Sequence, residues 1–128
     1  ILGYKIAQKE GFVVYFDIDE DFDVFASSVA TSFSLPHTKC VKSSKRVKRA
    51  ALTTGSGCSL IKSIKADCFL TGDIKYHDAM EAKSINLSLI DIGHFESEHF
   101  FAEILLKHLK NLGLEAIISS SKNPFTYI

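Results

Sequence analysis

The sequence has no run approaching the ~18 apolar residues of a membrane span, no excess of charge of either sign, and no paired-cysteine motif. The first absence argues against a transmembrane segment. The second follows from 15 basic and 15 acidic residues, which cancel at pH 7 and leave no global electrostatic reason for a nucleic-acid or membrane-surface partner. The third concerns Cys40, Cys58 and Cys68, which are odd in number and far apart. They form neither a C-x-x-C pair nor a zinc-ribbon spacing, and are read as reduced thiols of a cytoplasmic protein. The opening Ile1-Leu2-Gly3-Tyr4-Lys5 lacks the charged-then-apolar order of a secretory signal, so a soluble, cytoplasmic chain is expected. It begins without Met and in mid-pattern, which suggests an excised portion of a longer protein.

A chain of 128 residues fits one domain, which at that size buries about two-thirds of the surface that its unfolded chain exposes. No repeat, low-complexity linker or composition shift marks an internal boundary, so 1–128 is read as one α/β domain or contiguous fragment. Phe12, Val13, Val14, Tyr15 and Phe16 make the run 11–18 a buried strand. Carboxylates over 17–23 then lead into Val24, Phe25, Ser28, Val29 and Phe33, spaced for one helical face. That helix should stop before Leu35-Pro36.

Residues 38–42 and 46–53 read as two short strands joined by Ser43-Ser44, an edge hairpin. Apolar strands are expected near 47–53, 66–71 and 86–92, each followed by a turn and a helical segment. That alternation implies β-α-β crossovers and a mostly parallel, mixed sheet in a layered α/β/α fold. A long helix from His94 to Leu112, ended by Gly113, and a last strand over 115–119 complete the reading.

Ligands of open parallel sheets bind at the carboxyl ends of the strands. Three turns meet there: Thr54-Gly55-Ser56-Gly57, then Thr71-Gly72-Asp73 with His77 just beyond, then Gly93-His94 with Glu98. At about 100° per residue from His94, Glu98 falls near 40°, Phe101 near −20°, Leu105 near 20°, His108 near −40° and Leu112 near zero. His94 and Glu98 therefore share the stripe expected to face the core. Glu96, His99, Glu103, Lys107 and Lys110 fall on the opposite side. A carboxylate on a core-facing stripe must be protonated, paired or metal-bound. A histidine and a glutamate one turn apart can share a cation. A buried His-Glu hydrogen bond, or a glutamate placed at a helix N-terminus, accounts for the same spacing.

His77 is a candidate general acid or base or a substrate contact, although a histidine so placed is more often simply a surface residue. The turn Gly55-Ser56-Gly57 could offer N–H groups to a phosphate, but it lacks the full dinucleotide fingerprint and a P-loop lysine. A tight strand-to-helix turn explains its glycines as well. Lys39, Lys42, Lys45, Arg46, Lys48 and Arg49 could contact phosphates or simply protect an edge hairpin with charge.

Taken in order, the segments 54–57, 66–79 and 93–98, with the closing Asn123-Pro124-Phe125, resemble the GTP cyclohydrolase I type 2 family, also called Nif-three-like. The resemblance covers roughly residues 35 to 128. It implies that family's fold and a dinuclear metal site, with His94 and Glu98 supplied by the G-H-x-x-x-E motif. The remaining ligands of the family are an adjacent His-His pair and a later aspartate. No adjacent histidines occur here, so the N-terminal ligand region is read as absent. The resemblance further implies a ring-shaped homohexamer, and a metal-dependent hydrolase that opens the guanine imidazole ring of GTP towards dihydroneopterin triphosphate.

Zinc, iron or manganese, two ions per subunit, suits oxygen and nitrogen ligands. In that picture His77 moves protons, while Gly55, Ser56, Gly57, Thr71, Gly72 and Asp73 touch the nucleotide. Two ligands cannot hold two ions, so the chain by itself is expected to bind metal weakly and to be inactive. His94 is then expected to titrate as an ordinary imidazole. The rival is an interaction or scaffold protein that keeps a metal only for structure and binds nucleic acid or a transcription factor.

Overall fold

The computed structural model describes residues 1–126. Its centre is a six-stranded mixed sheet: β1 (Ile6–Glu10), β2 (Val13–Asp21), β4 (Arg46–Ser56), β5 (Cys68–Gly72), β6 (Ser88–Asp91) and β3 (Cys40–Val41), in that spatial order. The β4–β5 and β5–β6 pairs are parallel, as the crossover spacing predicts, and the other three are antiparallel. Three parallel strands with antiparallel flanks make the fold α/β with a mixed sheet.

Alternation along the strands divides the core between the two faces of the sheet. Ala50, Cys68, Leu70 and Ile90 face one side, under α1 (Phe22–Ser32), where they meet Phe22, Phe25 and Val29. Ala51, Phe69 and Leu89 face the other, against the short 3-10 helix Cys58–Ser63 and α2 (Tyr76–Ser84), through Ile61 and Ala82. Asp21 caps α1 by accepting the Asp23 N–H at 2.9 Å. The helix ends before Leu35-Pro36, as expected.

Phe25 is wholly buried and meets the rings of Tyr4 and Phe16 edge-on at centroid distances of 6.1 and 6.3 Å. Phe25→Ala should therefore lower unfolding free energy by about 3–5 kcal/mol, the range for emptying a buried aromatic site. Urea titration followed by circular dichroism checks this.

Three expectations are corrected. The segments 38–42 and 46–53 do not form a hairpin. β3 pairs with β6, with Cys40 opposite Ile90, while β4 lies in the middle of the sheet between β2 and β5. Running antiparallel to β6, β3 brings Lys39 beside the carboxyl ends of the parallel strands, where its carbonyl accepts the Asp91 N–H at 2.9 Å. Four of the six basic side chains find acids: Lys39 pairs with Asp91, Lys42 with Asp23, Arg46 with Asp19 and Arg49 with Asp17.

The long helix is divided into α3 (His94–Glu98) and α4 (Phe100–Asn111). The Ala102 N–H bonds to the His99 carbonyl three residues back, at 3.3 Å. One turn is thus wound more tightly, and the residues beyond it leave the register counted from His94. Phe100 packs against the core, edge-on to Phe33 at 6.1 Å. Phe101 and Leu112 of the expected inner stripe are 64% and 63% exposed.

No strand forms over 115–119. After Gly113, at φ 76° as a helix-ending glycine requires, the chain runs without regular structure. It returns to α3 through Asn123, whose side-chain amide donates to Glu96 at 2.6 Å. No helix among the described residues is long and apolar enough to cross a membrane.

Candidate metal half-site

The parallel strands β4, β5 and β6 end side by side at Ser56, Gly72 and Asp91. Two of the glycines there are required by close approach. A Cβ on Gly72 would lie 2.7 Å from the His94 backbone nitrogen and 2.8 Å from the Gly93 carbonyl carbon, so only a bare Cα lets β5 touch the start of α3. Gly55 has φ 65°, and a Cβ there would overlap Glu98 Oε1 and sit 3.4 Å from His94 Nε2. The end of β4 is thus the floor on which the histidine and the glutamate rest.

Buried hydroxyls lock this floor. Thr71 is fully buried and its Oγ1 accepts the Gly57 N–H at 2.8 Å while donating to the Gly55 carbonyl at 3.1 Å. Ser97, 4% exposed, accepts the Gly55 N–H at 2.9 Å and donates to the His94 carbonyl at 3.0 Å. Asp91 gathers the other two turns, accepting the N–H groups of Ile74 and Gly93 and pairing with Lys39 at 3.0 Å.

On this base His94 Nε2 lies 3.2 Å from Glu98 Oε2, and His94 Nδ1 lies 2.6 Å from Asp73 Oδ2. All three side chains are about half exposed. His94 and Glu98 therefore do point the same way, towards the strand ends, though into solvent-accessible space rather than the core. The Asp73 hydrogen bond chiefly raises the His94 pKa above its ordinary value, with the Glu98 and Asp73 charges adding to it. The expectation of an ordinary imidazole is thereby corrected, because Asp73 reaches a ring that sequence alone leaves unpartnered.

The chemistry of the pair suits a cation. With Nδ1–H donated to Asp73, the Nε2 lone pair of the neutral ring faces a carboxylate oxygen, and two electron-rich atoms at that distance need a proton or a metal between them. Donors about 2.0–2.1 Å from one ion at the tetrahedral angle lie about 3.3 Å apart, close to the observed 3.2 Å. The fit is to half a site, since no group of three or more potential ligands converges among the described residues. Asp73 stands on the Nδ1 side and Glu98 on the Nε2 side of one ring.

The other expected site residues divide. Thr71 is a buried brace, its hydroxyl engaged by the Gly55 carbonyl and the Gly57 N–H. Gly57 is buried against Thr53 and Thr71, and Gly72 against α3. These two glycines serve backbone packing. Gly55 is also buried, beneath Glu98, while Ser56 is exposed at the end of β4. His77 is exposed in the first turn of α2, its ring edge-on to Tyr76 at 5.6 Å.

An open groove of about 1020 Å³ runs from Asp73, His94 and Glu98 between α3–α4 and the returning segment 118–125, with Lys39 on its rim and Phe95, Phe101 and Phe125 on its walls. His77 is not among its lining residues. Ser97 and Asp91 are site residues that the sequence does not single out, and it offers Lys39 only as one of a basic cluster. The signal available for Ser97 is its place directly before Glu98, three residues after His94; Asp91 and Lys39 meet only through the pairing of β3 with β6.

The family described as Duf34/NIF3 (NGG1p interacting factor 3) matches residues 4–124. A Campylobacter jejuni protein named GTP cyclohydrolase 1 type 2 homolog is 48% identical over 128 residues, spanning 99% of this chain and 53% of that protein. GTP cyclohydrolase 1 type 2 of Helicobacter pylori is 42% identical over 109 residues, 84% of this chain and 45% of that one. The chain thus spans about half the length of these relatives. A crystal structure of a Staphylococcus aureus protein superposes with a TM-score of 0.73 at 28% identity, over 91% of this chain and 42% of that one.

Proposed function

Because this chain belongs to the DUF34/NIF3 family, we propose that it forms part of a metal-dependent hydrolase of the GTP cyclohydrolase 1 type 2 kind, with His94 and Glu98 holding one side of a dinuclear centre. The observation that carries this reading is the 3.2 Å approach of His94 Nε2 to Glu98 Oε2 over a glycine floor. The other ligands would come from the part of the protein that lies outside this sequence. Zinc, iron or manganese in such a centre supplies Lewis acidity and a water-derived nucleophile near neutral pH.

The chain's own residues provide the frame for that chemistry. His94 and Glu98 hold their donors to one point, and the Gly55 floor keeps that point open. The groove beside it is of the size that encloses a small-molecule ligand, and a nucleotide is the substrate class we propose for it. Assembly into a ring-shaped homohexamer is part of the same proposal. Most of the basic cluster is engaged with acids, which gives less support to the rival, a nucleic-acid-binding scaffold. Metal-dependent conversion of GTP by the intact protein supports the hydrolase. Salt-steep binding of nucleic acid with no turnover would support the rival.

The site should also be pH-dependent in two opposed ways. Since Asp73 and Glu98 raise the His94 pKa in the folded state, the protonated ring stabilises the metal-free fold fully below the unfolded value of 6.5. That contribution is lost as pH rises through the raised folded value. Metal binding needs the neutral ring, so zinc affinity should fall about tenfold per pH unit below the raised value as one proton competes for Nε2. Isothermal titration between pH 5.5 and 8 checks both the direction and the slope, and a flat profile would mean that His94 is not a ligand.

A further inference from the structure

We propose that Asp73 is the positioning residue of this half-site: it accepts the His94 Nδ1–H and so presents Nε2, unprotonated, to the ion shared with Glu98. The inference rests on the reading of His94 and Glu98 as ligands and assigns a role that the sequence motif does not, since there Asp73 is a substrate contact.

The geometry carries it in three steps. First, Asp73 Oδ2 lies 2.6 Å from Nδ1, whereas Glu98 Oε2 lies 3.2 Å from Nε2. The two carboxylates therefore occupy opposite ends of one imidazole and cannot be equivalent ligands of a single ion. Second, Asp73 is held in place by its backbone. It takes φ 59° directly after Gly72, a left-handed conformation that aspartate tolerates better than most side chains but that is still strained. Gly72 on one side is fixed by the close approach of the His94 backbone. Ile74 on the other is fixed through its N–H to Asp91 and its carbonyl to Lys39. The backbone that carries the carboxylate is thus held on both sides, and the carboxylate itself is placed by its 2.6 Å contact with Nδ1. Third, a metal-ligating imidazole needs its second nitrogen anchored, because that hydrogen bond sets the tautomer and the ring plane. Asp73 is the group the structure offers to Nδ1.

The test uses the intact protein and two readouts. In the metal-free, 15N-labelled protein at a pH where the ring is neutral, long-range 1H–15N spectra report the tautomer of His94. The native protein should show Nδ1 protonated and Nε2 bare, and Asp73→Ala should move the population towards the Nε2–H form. Zinc titration should then show a loss of about 10–100-fold in affinity for Asp73→Ala, the scale of an outer-shell partner. Asp73→Asn, whose amide oxygen can still accept from Nδ1, should recover part of both effects. An unchanged tautomer with unchanged affinity would overturn the proposal, as would complete loss of the metal, which would make Asp73 a ligand itself. Should native protein bind no metal through His94, the hydrolase reading fails, and the tautomer shift alone would still identify Asp73 as the residue that sets the ring.

Discussion

Glu98→Gln in the intact protein should abolish metal-dependent GTP turnover and lower metal affinity by at least about 100-fold, beyond the range of outer-shell changes. The amide has nearly the same shape as the carboxylate and leaves the glycine floor undisturbed, so the fold should be unaffected. What disappears is the negative charge facing His94 Nε2 at 3.2 Å. A neutral amide oxygen is a weaker donor to a divalent ion and does nothing to offset its charge. Turnover assayed with added zinc, iron or manganese, alongside metal content after gel filtration, measures both effects. A variant that retains its metal and its rate would remove Glu98 from the site.

Gly55→Ala should damage the site from beneath. At φ 65° an alanine costs about 1–2 kcal/mol relative to glycine, and its Cβ occupies the space now held by Glu98 Oε1. The flexible end of Glu98 can swing away, but only by leaving Nε2. The expected result is a modestly less stable protein with metal affinity reduced by about 10–100-fold, the scale of a disturbed coordination shell. Thermal unfolding and zinc titration separate the two contributions. Full stability with full affinity would show that the carboxylate does not need the floor.

Part of the site follows from local spacing along the chain. His94 and Glu98 are four residues apart on one short helix, so their convergence follows from helical spacing and was legible. The same holds for β4, β5 and β6, whose apolar runs mark buried strands, and for α1; β2 was legible only in its buried run 13–16, since Phe12 lies exposed in the turn before it and 17–21, read as the acidic approach to α1, extend the strand. β1 was not legible: Ile6–Glu10 is exposed along its whole length and carries no burial pattern. β3 is two residues long and gains its place by pairing with β6, some 50 positions away.

The Asp73–His94 hydrogen bond joins residues 21 apart through the contact of two turns, which no local period encodes. The inner stripe assigned to 101–112 failed because a count at 100° per residue assumes an unbroken helix. One tight turn at His99 is enough to send Phe101 outward and Phe100 inward.

The half-site itself is the central claim, and anomalous diffraction from crystals of the intact, zinc-loaded protein tests it most directly. A peak at the zinc edge within about 2.0–2.2 Å of both His94 Nε2 and a Glu98 carboxylate oxygen, with Asp73 still on Nδ1, is the predicted result. Zinc bound elsewhere, with His94 Nε2 and Glu98 joined only by a proton, would contradict it.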